Sequence, residues 1–139
     1  MNTNASTSTL IYKILRHLMS FVDADTWSSI DKGQNVLLPE GEPILGAYLN
    51  SLNPFCALIF YDEKFAFING DDLKIIWYSS ILGIKCVDEK VSARTLSLDI
   101  GQKQDIVISV LGGDKKFRDV FPMMRFLMRA SEKYKNLEA

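Results

Sequence analysis

Residues 55–78 read FCALIFYDEKFAFINGDDLKIIWY, three apolar runs separated by two tight polar breaks, Asp62-Glu63-Lys64 and Asn69-Gly70-Asp71-Asp72. Short apolar runs bounded by turn residues read as strands, and a glycine after asparagine supplies the positive φ of a hairpin turn. The stretch is therefore a meander of three antiparallel strands, over 55–61, 65–69 and 73–78. In the last of them Leu73, Ile75 and Trp77 alternate with Lys74, Ile76 and Tyr78. Working outward, a strand over 44–50 precedes the Asn53-Pro54 break, and three more follow the Ser79-Ser80 corner, over 81–88, 95–100 and 105–111. Leu96, Leu98 and Ile100 against Thr95, Ser97 and Asp99 form the clearest half-buried strand of the seven. A sheet with one apolar face must bury it against another layer. That layer is an amphipathic helix ending near Lys135, with Phe117, Val120, Phe121, Met124, Leu127 and Met128 on one broad face and Tyr134 in line. Pro122 marks either a bend in this helix or its true start.

Upstream, Leu10, Ile11, Ile14, Leu15, Leu18 and Phe21 recur at helical spacing, with Ser8 or Thr9 as the N-cap and Lys13, Arg16 and His17 opposite. This predicts a helix of three to four turns after a polar, disordered tail, Asn2 to Thr7. A connector over 23–43 carries a short helix at Ala24 to Ile30, capped by Asp23. The fold class is α+β, mainly β: a seven-stranded, strongly bent antiparallel sheet or barrel capped by a C-terminal helix, with an extra N-terminal helix. Residues 1–37 form the helical extension and connector, and 38–136 the sheet domain.

The 139 residues, 47% hydrophobic and 24% charged, fit one domain with a sizeable core. Sixteen basic and seventeen acidic side chains, with no long run of like charge, argue against nucleic-acid binding, which needs a concentrated basic face. No apolar run reaches the roughly 20 residues of a membrane span, and the first residues lack the basic and apolar regions of a leader, so a soluble, cytoplasmic protein is expected. Cys56 and Cys86, each within a strand and far from any metal-ligand spacing, read as buried reduced thiols.

No residues converge on catalysis. His17, the sole histidine, sits on an amphipathic helix with no nucleophile nearby in sequence. Asp62-Glu63 and Asp71-Asp72 read as solvated hairpin turns rather than metal ligands, because aspartate favours turns by bonding its own backbone. Gly112-Gly113-Asp114-Lys115 lacks the spacing of a phosphate loop and reads as a strand exit and helix cap. Neither a catalytic residue, a metal nor a cofactor is expected, so the chain reads as a non-enzyme.

Three stretches carry a resemblance to the pleckstrin-homology-like superfold, in particular its bacterial and GRAM-like members. Leu38-Pro39-Glu40-Gly41-Glu42-Pro43-Ile44-Leu45 is similar to the entry into the first strand, and Phe60 to Ile68 to the tight second hairpin. Ile75-Ile76-Trp77-Tyr78-Ser79-Ser80-Ile81-Leu82-Gly83-Ile84 resembles the strand-corner-strand segment in which an aromatic and a serine precede an isoleucine. The resemblance covers Leu38 to about Arg129. It implies a domain that binds lipid or peptide or assembles with itself, functions the fold alone does not separate. Phosphoinositide-binding members place Lys and Arg around the first hairpin, whereas Tyr48 to Ala57 has none, so phosphoinositide binding is not expected.

The expected function is a non-enzymatic protein-interaction module acting on a protein partner or by self-association. Its expected partner-binding residues are Leu10, Ile14 and Leu18 of the first helix and Met123 and Phe126, which lie off the core-facing stripe of the last. Edge strands of the sheet and the groove beside the C-terminal helix are the expected docking places. The competing readings are a peripheral membrane or lipid-binding domain, with Leu10 to Val22 lying weakly on the membrane surface, and a small toxin-neutralising (immunity-type) or secretion-associated protein.

Overall fold

The computed structural model describes residues 6–31, 41–52, 55–86, 94–112 and 118–138. The expected tail at Asn2 to Ala5, the start of the first-strand entry at Leu38 to Glu40, the Asn53-Pro54 break, the end of the fifth expected strand at Val87-Asp88, and Gly113 to Phe117 lie outside them.

The chain begins with a turn of α-helix, α1 (Thr7–Leu10), that widens into a π-helical turn over Ile11–Leu15, closed by Arg16 N–H donating to Ile11 O at 3.0 Å. Its N-cap is Ser6, whose hydroxyl accepts from Thr9 N–H at 3.1 Å, rather than Ser8 or Thr9. The three-to-four-turn helix is thus shorter than expected. After two turns at Leu18 and Phe21, the chain extends into β1 (Phe21–Val22), which pairs with Tyr48 and Ala47 of β2 (Gly46–Leu52). Between them lies α2 (Ala24–Asp31), capped as expected by Asp23 Oδ1 accepting from Thr26 N–H at 2.8 Å. This bond holds the exposed Asp23 carboxyl below its ordinary value.

The meander follows as β3 (Phe55–Phe60), β4 (Lys64–Asn69) and β5 (Asp72–Trp77). Asn69 pairs with Asp72 across a two-residue loop in which Gly70 alone has positive φ, +65°, the pattern of a type II′ turn. A 3₁₀ turn at Tyr78–Ser80 makes the corner into β6 (Gly83–Cys86), β7 (Thr95–Asp99) and β8 (Ile106–Ser109), and α3 (Val120–Glu138) closes the domain. Pro122 is its third residue, where a missing N–H costs no helical bond, so it marks the start rather than a bend.

The count differs from expectation. Among the described residues there are eight strands, not seven, in two antiparallel sheets ordered β1-β2-β3-β4-β5 and β6-β7-β8, and these sheets do not close into a barrel. One link between them is a side chain. Asn50 is the extra residue of a bulge in β2, opposite no partner on β3. Its amide donates to Ser109 O at 2.7 Å and accepts from Leu111 N–H at 2.8 Å, replacing a strand's backbone pairing at the seam.

The main core lies between the sheets and is filled by Leu58, Phe60, Phe65, Phe67 and Ile76 from one sheet and Leu96, Leu98 and Ile108 from the other. α3 and the N-terminal helical turns plug one end of it. Phe126 meets Phe60 edge-on at 5.3 Å and Tyr78 at 5.9 Å, while Tyr134 stacks on Tyr78 at 6.0 Å. Thr7 and Tyr134 hydroxyls both donate to Asp62 O, at 2.6 and 2.7 Å, pinning α1 and α3 to the β3–β4 turn. A second core covers the other face of the five-stranded sheet. There Trp27 of α2 packs 5.8 Å from Phe55 over Ala57, Ile59, Ala66 and Ile68.

Burial raises the Tyr48 and Tyr78 phenols above the ordinary tyrosine value, reinforced by Asp119 at Tyr48 and by Tyr134 and Asp62 at Tyr78. The unfolded chain releases these protons near pH 10, whereas the folded one keeps them, so the stability they contribute is intact below pH 10 and falls above it. The expected slope is about 1.4 kcal/mol per pH unit for each tyrosine. Urea midpoints should hold level between pH 8 and 9.5 and drop between 10 and 11; a level midpoint throughout contradicts this.

Candidate functional site

All five side chains expected to bind a partner are inside the molecule. Leu10, Ile14 and Leu18 are buried in the main core, and Met123 and Phe126, expected on the outer side of α3, are 0% exposed. The helix is rotated relative to the stripe read from its sequence. Its inward face is Val120, Met123, Phe126, Leu127 and Ala130, while Met128 is turned to solvent. The small Ala130 and Ser131 permit close approach to the corner after β5, where Ser131 Oγ donates to Ile81 O at 3.0 Å. The N-terminal apolar stripe is likewise spent on the core, leaving Tyr12 and Met19 as its exposed large apolar residues. His17, Asp62-Glu63 and Asp71 lie on exposed turns, and Asp72 is the exposed first residue of β5. Among the described residues no cluster of His, Cys, Asp and Glu could hold a metal ion. Neither Cys56 nor Cys86 forms a disulfide, and burial pushes the Cys56 thiol up, away from the reactive thiolate.

The surface that stands out is the outer side of β5. This strand ends the five-stranded sheet, and its Leu73, Ile75 and Trp77 are 36%, 37% and 45% exposed in a row on the face that α2 covers further along. Their backbone groups face outward as well. Tyr78 N–H donates to Glu63 O at 3.1 Å, and antiparallel bonding alternates, so Asp72, Lys74 and Ile76 bond towards β4. The N–H and C=O of Leu73, Ile75 and Trp77 point away from the sheet, without a partner among the described residues. Apolar side chains and unpaired backbone thus coincide on the same three residues.

Trp77 also walls a cavity of about 430 Å³ lined by Ser8, Glu42, Pro43, Leu45, Asp62, Glu63 and Lys64. Lys64, opposite Trp77 on β4, is almost wholly buried. Burying an ammonium group is costly unless it is paired, and Lys64 is paired three ways. Its Nζ bonds Glu42 Oε2 and lies 4.5 Å from the centre of the Trp77 ring and 5.3 Å from that of Tyr61. Glu42, from the Pro-Glu-Gly-Glu-Pro entry segment, is thereby fixed at the cavity rim.

A second, smaller hollow of about 140 Å³ lies beside α3, between Leu82, Ile84, Met128 and Glu132, with Leu82 and Met128 exposed. Sequence reasoning named both kinds of place but not the residues at β5. The available signal was that Leu73, Ile75 and Trp77 alternate with Ile76 and Tyr78, leaving the strand without a polar face.

No family model matches the chain, and no curated protein is similar to it. Two solved structures share its fold. A DUF1696 family protein with a pleckstrin-homology domain from Shewanella loihica PV-4 is 18% identical with a TM-score of 0.52, over 81% of this chain and 96% of that one. A pleckstrin homology domain from Shewanella amazonensis SB2B is 17% identical with a TM-score of 0.54, over 88% and 98%. The chain therefore has the pleckstrin-homology-like fold expected from its three motif stretches. The likeness is longer than the stretch from Leu38 onward, so it takes in part of the N-terminal segment.

Proposed function

We propose that this pleckstrin-homology-like domain is a non-enzymatic interaction module that docks an extended protein segment along β5. The observation that carries this reading is the coincidence at Leu73, Ile75 and Trp77 of exposed apolar side chains with outward backbone groups that have no partner among the described residues. Soluble proteins ordinarily blunt such an edge with charge, proline or a bulge, because it templates strand addition. Here one lysine, Lys74, interrupts the strand, and its charge is held by Asp72 at 3.4 Å.

The burial of the N-terminal apolar face supports a protein partner over a membrane, since inserting Leu10, Ile14 and Leu18 in lipid would mean taking them out of the core. No described helix is long and apolar enough to cross a membrane.

Two substitutions separate the sites. Ile75→Pro removes an outward N–H that β4 does not use and should leave stability within about 1 kcal/mol, because proline is tolerated at a sheet edge; Trp77→Ala removes the half-exposed indole together with its contact to Lys64 and should cost about 1–3 kcal/mol while leaving the domain folded. In quantitative co-purification, both should lose the partners kept by Leu82→Ser and Met128→Ser. The reverse pattern would move the site to the groove beside α3.

A further inference from the structure

Resting on the β5 docking reading, we infer the chemistry of the segment that docks there: a strand of another protein with alternating apolar residues and a lysine or arginine at each end. The apolar part follows from Leu73, Ile75 and Trp77, whose two-residue spacing matches every second side chain of an added strand. The basic ends follow from the charges. Asp71 and Asp72 are exposed at the hairpin end of β5, and Glu42, Asp62 and Glu63 are exposed at the Trp77 end. Against these five carboxylates stand Lys64 and Lys74, a net charge of −3 on a chain whose total is −1. Both lysines are already engaged, Lys64 by Glu42 and Lys74 by Asp72, so neither is available to receive an acidic guest.

The cavity at Trp77 fits one such end. Pro43, Leu45 and the indole offer apolar wall to the methylene stem of a lysine or arginine, and Asp62 and Glu63 stand at the rim for its charge. Lys64 shows the preference of this site in the chain itself, a cation held against the same ring by a carboxylate.

The same charges argue against a second copy as the guest. Two β5 strands pairing antiparallel about Ile75 would set Leu73 of each against Trp77 of the other. The Asp71-Asp72 end of one copy would then lie against the Asp62-Glu63 end of its neighbour, like charge against like. A phosphate-bearing ligand meets the same unfavourable field.

The test is an amide-shift titration of the full-length protein with two seven-residue peptides alternating valine and threonine, one ended by lysines and one by glutamates. The lysine-ended peptide should shift the amides of Leu73, Ile75 and Trp77 and the Trp77 indole. Its affinity should exceed that of the glutamate-ended peptide by about tenfold at low salt, with the gap narrowing as salt screens the rim. The double variant Asp62→Asn, Glu63→Gln should bring the two peptides within about threefold, since exposed pairs each contribute little. Equal affinity of the two peptides for β5 in the unaltered protein would overturn the charge inference and leave strand addition standing. No shift at β5 with either peptide would overturn the docking reading and the inference with it. Shifts at β5 on raising protein concentration alone would make a second copy the occupant and overturn the inference.

Discussion

Removing residues 1–22 is expected to abolish the folded state. The segment supplies Leu10, Ile11, Ile14, Leu15 and Leu18 to the main core, all buried, and β1 to the five-stranded sheet. Burying each such side chain contributes about 1.5–3 kcal/mol, so the five together match the roughly 5–15 kcal/mol by which a domain is ordinarily stable. The deletion also strips α3 of the N-terminal helical turns packed against it and removes the backbone bond from Leu49 N–H to Ser20 O, 2.9 Å. The expected product lacks a cooperative thermal transition and dispersed amide shifts. Because a deletion can fail for trivial reasons, Leu15→Ala provides the graded counterpart. Leu15 is fully buried at the end of the π-helical turn, and its truncation should cost about 2–5 kcal/mol by lost transfer energy and the cavity left behind. A truncated protein that melts cooperatively near the temperature of the full chain would show the N-terminal segment to be an appendage.

Tyr48→Phe is expected to be the costliest removal of a single oxygen, at about 3 kcal/mol. Tyr48 lies on β2, fully buried, and its hydroxyl donates to Asp119 Oδ2 at 2.7 Å while accepting from Gly112 N–H at 2.9 Å. One oxygen thus joins the first sheet, the strand exit after β8 and the residue before α3. Taking it away leaves a buried carboxylate and a backbone donor short of a partner, which costs more than the bond itself was worth. The packing around this hydroxyl is tight. A Cβ at Gly112 would collide with both Asp119 Oδ2 and the Tyr48 hydroxyl, which is the reason for glycine there. A double-mutant cycle of Tyr48→Phe with Asp119→Ala, read by urea denaturation, should show coupling above about 1 kcal/mol. Additive effects would mean that the carboxylate is satisfied elsewhere.

How far the sequence discloses this fold depends on how local each signal is. The meander was legible because its turns are written in Asp62-Glu63-Lys64 and Asn69-Gly70, and the corner because Ser79-Ser80 interrupts two apolar runs. β1 was not, since Leu18 and Phe21 continue a helical spacing and only pairing with Tyr48 and Ala47 makes Phe21–Val22 a strand. The face of α3 was misjudged for a related reason. Met124 and Met128 count as apolar in any stripe, whereas Ala130 and Ser131 declare themselves as contact positions only when Ile81 is seen beside them. The β5 surface lay at the limit of what pattern can say. A strand apolar on both faces announces that something covers each, and the pattern alone does not say that Leu73, Ile75 and Trp77 stay partly exposed. Likewise, no spacing connects Glu42 to Lys64 and Trp77; the entry segment meets them only in three dimensions.

Residue-resolved amide hydrogen exchange of the free protein along β5 tests the open edge most directly. The amides of Leu73, Ile75 and Trp77 should exchange rapidly and those of Lys74, Ile76 and Tyr78 slowly, because the first set points away from β4 and the second bonds to it. Equal, slow exchange at all six would mean that the edge is already covered, and β5 would not be the docking strand.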